Sequence, residues 1–413
     1  MAKNSMHSQT KLLLIPLSGE ETSGLAEDMY NILKGDFALD DQVEALIGKR
    51  RADIEKGTLK DHRHPLVLDY FVDGEIENDI GRNALKDIVR GKHIVLIEHL
   101  LTPNRMISPD SGDSQRVSPN DHHMTVRAAL KVFSKVELLQ ITGCFPYQTY
   151  VRAHSIEKYE IDGFFQFDSL SLTLDDLVKG GLKAMVTIDP HSQKAAQIAS
   201  SLGLSYHAIN PFQSGRTINP FKLGLSGERT EKVMKQLRPY HNRFEVLKKS
   251  GKNIYIVIVD DGTEPRGENF ADRAYPDLKP EEFYAKVVYF GKGRPSLTGE
   301  TLPYLKHFSK APINDSEGIY ILPDDMSAST GTAQEVAKVI KRAGGGQVEV
   351  WTTHAVTMPV QLTKANDREY INKIVCLDTV PQTKELNMEF IPATSHLLSA
   401  ELYKLHQRLV ASR

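Results

Sequence analysis

The chain has 413 residues, 40% of them apolar, enough for two α/β domains with separate buried cores. A formal net charge of −2 excludes the global basic field that draws nucleic acid or an anionic membrane. The two cysteines, Cys144 and Cys376, sit in apolar runs, make no disulfide framework and fit a reducing compartment.

In chain order, "KLLLIPL" is the first apolar run, too short for a secretory core or a membrane span, so a cytoplasmic protein is expected. The helical-period segment "SGLAEDMYNIL" follows it, and "HIVLIEHLL" is the next strand. "LTPNRMISPDSGDSQRVSPN", rich in Pro, Ser, Asn and Asp, reads as a long surface loop before the helix "DHHMTVRAALKVFSKV". Further strands are expected at "VELLQITGCF", "LKAMVTIDP", "NIYIVIVDD", "AKVVYFG", "GIYILPDD", "GQVEVWTTHAV" and "INKIVCLDTV". Continuous apolar runs alternating with helices indicate parallel sheets covered on both faces, and the two successive sets of runs predict two similar halves.

Residues 212–252 hold ten Lys or Arg against three Glu, with one amphipathic helix in "ERTEKVMKQLRPYHNRF". That charge fits a phosphate-attracting or subunit-contact surface, and a solvated connector helix is the plainer reading. The histidine pair His62/His64 lies in a charged loop without a third ligand and His122/His123 opens a helix, so both read as structural or solvated.

For phosphate chemistry, neither G-x-x-x-x-G-K-[ST] nor a strand-linked G-x-G-x-x-G occurs. Carboxylates stand instead at strand ends, where α/β sheets bind ligands. In "YILPDDMSASTGTAQEVAKVI", Asp324 and Asp325 end a strand, and Ser327, Ser329, Thr330, Gly331 and Thr332 lead into a helix. Backbone N–H groups and hydroxyls at a helix start suit a phosphate, and the acids suit sugar hydroxyls. A helix capped by Ser327 or Ser329 with solvated acids fits the same residues.

This loop resembles the phosphoribosyl-binding loop of the type I phosphoribosyltransferase fold. Other segments resemble, in order, those of the ribose-phosphate pyrophosphokinase family: "FVDGEIENDIGRNALKDIVRGKHIVLIEH", "SPNDHHMTVRAALKVFSKV", "GCFPYQTYVR", "MVTIDPHS", "IVIVDDGTEPRGENFA" and "FGKGRP". The resemblance implies two tandem type I phosphoribosyltransferase-like domains, each a mainly parallel sheet flanked by helices. Boundaries are expected at 1–211, 212–388 and 389–413, the last a helix packing back on the first domain.

It implies transfer of the β,γ-diphosphate of ATP to the 1-hydroxyl of ribose 5-phosphate, with Mg²⁺ as cofactor and at least a dimer as the working assembly. By the same resemblance Lys292 and Arg294 stabilise the transferred group. Phe71, Asp73, Glu75, Arg152 and His191 contact ATP, with Asp189 and His191 holding its Mg²⁺. Asp261 faces the ribose and offers a ligand to a second Mg²⁺, Asp324 and Asp325 face the ribose hydroxyls, and Ser329, Thr330, Gly331 and Thr332 hold the 5-phosphate.

Two departures stand out. The family loop carries a third acid where this chain has Ala328, and Thr330 replaces its first glycine. The nucleotide loop has Thr149 and Tyr150 where Arg and Gln stand in the family, and keeps Arg152. These leave open a weak or regulatory homologue and a diphosphokinase for a different ribosyl 5-phosphate acceptor. A phosphoribosyltransferase that consumes the diphosphate sugar is disfavoured by the complete first half with its Asp-x-His.

Overall fold

The computed structural model describes residues 11–47, 66–67, 79–80, 88–103, 105–107, 115–152, 167–213, 227–293, 302–327, 331–357, 369–381 and 387–412. The chain divides into two compact units. Unit 1 comprises Met1–Ile209, Pro220–Arg229 and Ser395–Arg413; unit 2 comprises Asn210–Asn219 and Thr230–Thr394.

Unit 1 is built on strands β1 (Leu12–Pro16), β2 (Val43–Ala45), β3 (His93–Ile97), β4 (Gln140–Phe145), β5 (Ala184–Ile188) and β6 (Ser205–Ile209). They form a six-stranded parallel sheet in the order β6-β5-β4-β3-β1-β2. Leu12 to Ile15 and Ile94 to Ile97 are buried at every position, because a parallel strand covered on both faces has no solvent side.

Helix α1 (Gly19–Gly35) buries Thr22, Leu25, Ala26, Met29, Ile32 and Leu33, a stripe at helical spacing. Helix α2 (Pro119–Phe133) starts sharply: Pro119 occupies its first turn, and Ser118 and Asp121 cap each other reciprocally. Helices α3 (Ser169–Lys179) and α4 (Lys194–Ser201) complete the βα connections. The segment read as a long loop contains a short antiparallel pairing of Met106–Ile107 with Gln115–Arg116.

Helix α5 (Gly227–Gln236) begins in unit 1 and continues into unit 2, whose other helices are α6 (Pro239–Lys248), α7 (Glu264–Ala274), α8 (Pro280–Tyr284) and α9 (Gly331–Arg342). Its strands are β7 (Ile254–Ile258), β8 (Val287–Gly293), β9 (Leu302–Leu305), β10 (Ile319–Ser327), β11 (Gln347–Ala355), β12 (Lys373–Leu377) and β13 (Glu389–Ile391). The sheet order is β9-β8-β7-β10-β11-β12-β13, parallel except for β9.

The single amphipathic helix expected over "ERTEKVMKQLRPYHNRF" is two helices, α5 and α6. Pro239 cannot continue α5 but fits the first turn of α6. Nor is this segment a solvated connector: Val233, Leu237, Tyr240 and Phe244 are fully buried. Tyr240 stacks between Phe212 (4.2 Å) and Trp351 (5.7 Å), a packing that helical periodicity alone does not announce.

The fold class matches the expectation of mainly parallel sheets flanked by helices. After unit 2, helix α10 (Thr394–Ala411) contributes to unit 1. There Tyr403 stacks on Phe37 at 5.0 Å, and His406 Nδ1 lies 3.1 Å from His93 Nδ1.

Candidate active site

In unit 2 the sheet reverses direction of growth between β7 and β10: β8 flanks β7 on one side and β10 on the other. Such a reversal leaves a crevice at the carboxyl ends of the two strands, because the connections leave on opposite faces. The acids singled out in the sequence stand there.

After β7, Asp260 accepts a hydrogen bond from the Thr263 N–H at 2.9 Å, and the Asp260 N–H donates to Thr263 Oγ1 at 3.1 Å. This closed turn opens α7, with Pro265 in its first turn. Gly267 lets α7 lie close on β7, since a Cβ there would come within 2.6 Å of Ile258 Cγ1. The turn leaves Asp261 81% exposed, and Lys306 Nζ meets its Oδ1 at 2.7 Å and Glu264 Oε2 at 2.8 Å.

The strand expected to end at Asp324 and Asp325 runs on to Ser327 as β10, still paired with β11, and within it Asp324 accepts from the Asp325 N–H at 2.9 Å. Asp325 is buried, and Arg266 Nη1 lies 3.8 Å from its Oδ1. Protein surrounding the Asp324 carboxyl and the adjacent Asp325 charge push it well above the usual carboxylate range, against the opposing pull of Arg266. The proton of this acid pair therefore favours Asp324, and the negative charge favours Asp325 beside the guanidinium.

The buried Ser327 Oγ has no hydrogen-bond partner among the described residues. The Ser327 carbonyl accepts from Val356 N–H at 3.0 Å and Thr357 Oγ1 at 3.2 Å. Gly331 and Thr332 open α9 and are exposed. Ser329, Thr330 and Ala328 lie outside the described residues, as do Arg294 and the trio Phe71, Asp73 and Glu75. The histidine pair His62/His64 lies outside them too. The backbone of Lys292 pairs with Pro303 one residue before the end of β8.

In unit 1, Asp189 follows β5, is buried, has a positive φ of 37° and donates its N–H to the Ile209 carbonyl at 2.7 Å. His191 is exposed two residues on, and Arg152 is exposed after the loop that follows β4. The three residues before Val151 and Arg152 all bond within the protein, the first two from buried positions. Gln148 accepts from the Tyr206 hydroxyl, Thr149 Oγ1 lies 2.6 Å from His123 Nε2, and the Tyr150 hydroxyl donates to Asn120. Tyr150 has a φ of 62°, rare for a bulky residue. His123, buried and lowered to about 4 by desolvation and the charges of His122 and Arg127, is neutral in this arrangement.

Sequence reading missed Lys306, Arg266, Asp260 and the buried His354, whose Nδ1 lies 2.8 Å from Thr379 Oγ1. Asp260 and Arg266 had a local signal: one precedes Asp261, and the other opens the helix after the acidic turn. Lys306 had none, because it arrives from a different strand.

No family model matches the chain. A curated relative, the ribose-phosphate pyrophosphokinase of Synechococcus elongatus, is 26% identical over 98 residues, 23% of this chain. That match spans 30% of the relative's length. A crystal structure of phosphoribosylpyrophosphate synthetase from Mycobacterium smegmatis aligns with a TM-score of 0.63 and 14% identity, over 97% of this chain and 100% of that one. The resemblance read from the motifs thus holds for part of the sequence and for the fold of nearly the whole chain. Among the described residues no helix is long and apolar enough to cross a membrane.

Proposed function

We propose that the chain is a divergent ribose-phosphate pyrophosphokinase, passing a diphosphate from ATP to the 1-hydroxyl of ribose 5-phosphate. The observation that carries this reading is the acid pair Asp324–Asp325 at the β7/β10 reversal, with α9 opening shortly after it at Gly331. Asp325 would accept from a ribose hydroxyl, and Asp324, held toward its protonated form, would donate to a neighbouring sugar oxygen. Ser329, Thr330 and the opening N–H groups of α9 at Gly331 and Thr332 would take the 5-phosphate, since a helix start presents aligned donors.

In the transfer, the O1–Pβ bond forms as the Pα–O–Pβ bridge breaks at Pβ, and AMP departs with the bridging oxygen. The proton of the 1-hydroxyl passes to solvent. Lys292 and Arg294 would balance the charge that builds on the transferred oxygens. Phe71, Asp73, Glu75 and Arg152 would hold the nucleotide, the first three from a second subunit, so that a homo-oligomer is the working form.

Among the described residues no three His, Cys, Asp or Glu side chains gather into a preformed cage. Mg²⁺ needs no such cage, because it keeps waters and binds through one or two carboxylates plus substrate phosphates. Asp189 and His191 would hold it on the ATP side, where it screens phosphate charge. At Asp261 the residues do not fit a second ion, because the ammonium of Lys306 already joins its carboxylate to that of Glu264.

A nucleotide-binding homologue with little turnover is a second reading. It is favoured by Gln148 and Thr149, which are buried and bonded to Tyr206 and His123, and by Tyr150, whose hydroxyl is bonded to Asn120. Incubation with ATP, Mg²⁺ and ribose 5-phosphate, followed by analysis for AMP and a diphosphorylated sugar, separates the two. Absence of AMP with every metal and ribosyl 5-phosphate tried rejects the enzyme.

A further inference from the structure

We propose that Lys306 is the resident cation of the Asp261–Glu264 carboxylate pair and sets how many divalent ions the unit 2 crevice binds. The inference rests on reading that crevice as a Mg²⁺-assisted phosphate site, and it departs from a two-ion version of that site.

Three observations support it. The ammonium is within charge-assisted hydrogen-bond distance of both carboxylates, 2.7 Å from Asp261 and 2.8 Å from Glu264. It is not a wandering surface lysine: its side chain is 14% exposed and its Nζ lies 5.5 Å from the centre of the Phe308 ring. Its backbone N–H also donates to the Tyr289 carbonyl at 2.8 Å, while the Tyr289 hydroxyl donates to Glu268 at 3.0 Å. The stem is thereby pinned across β8 from the end of β7. A lysine ammonium keeps its charge through the neutral range.

A divalent ion competing for Asp261 would have to displace this tethered ammonium and also shed its own water. Mg²⁺ dehydrates reluctantly, and a tethered competitor acts at high effective concentration. Lys306 is therefore a positioning residue: it fixes the two acids without offering a vacancy to metal.

The test counts ions on the full chain without nucleotide or sugar, using Mn²⁺ as the probe and the spin-resonance signal of the free aquo ion as the readout. Wild type and Asp261→Asn should bind the same number of ions. Lys306→Met should bind one more, and adding Asp261→Asn to it should weaken that new site on the order of tenfold or more. Lys306→Gln, which keeps hydrogen bonding without charge, provides the same comparison if the methionine variant fails to fold. An unchanged count in both lysine variants overturns the proposal, and so does loss of an ion from wild type on Asp261→Asn. Because no substrate is present, either result stands whether or not AMP is released in the activity assay.

Discussion

The two units place matching strand ends side by side and fill them in opposite ways. At the ends of β1 and β3 in unit 1, Glu98 is fully buried and accepts from Ser18 Oγ and from His122 Nδ1, the latter at 2.5 Å. His122 Nε2 lies 2.8 Å from Thr102 Oγ1, and Thr22 Oγ1 lies 3.2 Å from His99 Nδ1. At the ends of β7 and β10 in unit 2, Asp261 is exposed, Asp324 is partly so, and Arg266 and Lys306 stand beside the acids. A parallel sheet with a reversal supplies a crevice in either case; side chains decide whether it is closed by a polar network or left to a ligand. On the function proposed above, the contrast gives the first reversal a structural part and the second the chemistry.

The largest test of that assignment is Asp325→Ala. Turnover should fall by about 10²- to 10³-fold, as for the loss of one preorganised polar contact in a transition state. Single-turnover rates against the melting curve check it; equal loss of both would move Asp325 to the structural side. Next comes His122→Ala, which leaves the buried Glu98 carboxyl short of a donor. A cost of about 3 kcal/mol or more in denaturant unfolding is expected, with turnover per folded molecule retained.

The third test uses acid, to which the two units should respond with opposite sign. His93 and His99 are each held down to about 3, chiefly by burial, with His406 lowering the first and His122 and Arg105 the second. Groups with lowered histidine values stabilise the fold above 6.5, and that contribution is lost as pH falls from 6.5 toward 3. Asp324 is raised, so its contribution is present below its ordinary value of 3.8 and is lost as pH rises above it. Hydrogen exchange at pH 7 and pH 5 should therefore show unit 1 loosening first, while Asp324→Asn raises stability more at pH 7 than at pH 4. Uniform loosening would dissolve the contrast.

The smallest expected effect is at Tyr150. Glycine there relieves a left-handed backbone cost of about 1 kcal/mol but removes the ring lying 5.3 Å from His123. Stability should change by no more than about 1 kcal/mol in either direction, and the change in KM for ATP shows whether this loop meets nucleotide.

How much of this was legible depended on where each signal lay. Strands such as Leu12–Pro16 and Ile254–Ile258 announce themselves because both faces are covered and the apolar run is unbroken. The short strands Val43–Ala45, Leu302–Leu305 and Glu389–Ile391 went unread. So did Ser205–Ile209, whose edge position leaves Ser205 and Ala208 exposed and breaks the apolar run. The acids of the site were legible as adjacent residues at one strand end. Their partners were not: Ser18 and Glu98 stand 80 residues apart, and Lys306 and Glu264 stand 42 apart. A side chain recruited across a sheet leaves no mark in local sequence.

The return of α10 to unit 1 bears on how the protein is made. The ribosome releases β1 through β6 first, then all of unit 2, and only afterwards the helix that carries Tyr403 and His406 to Phe37 and His93. Unit 2 can close as soon as its own strands emerge, whereas unit 1 must wait, its buried histidine and aromatic faces uncovered, until synthesis has passed Thr394. The half made first is thus completed last, and during that interval it is the half that depends on being shielded from aggregation.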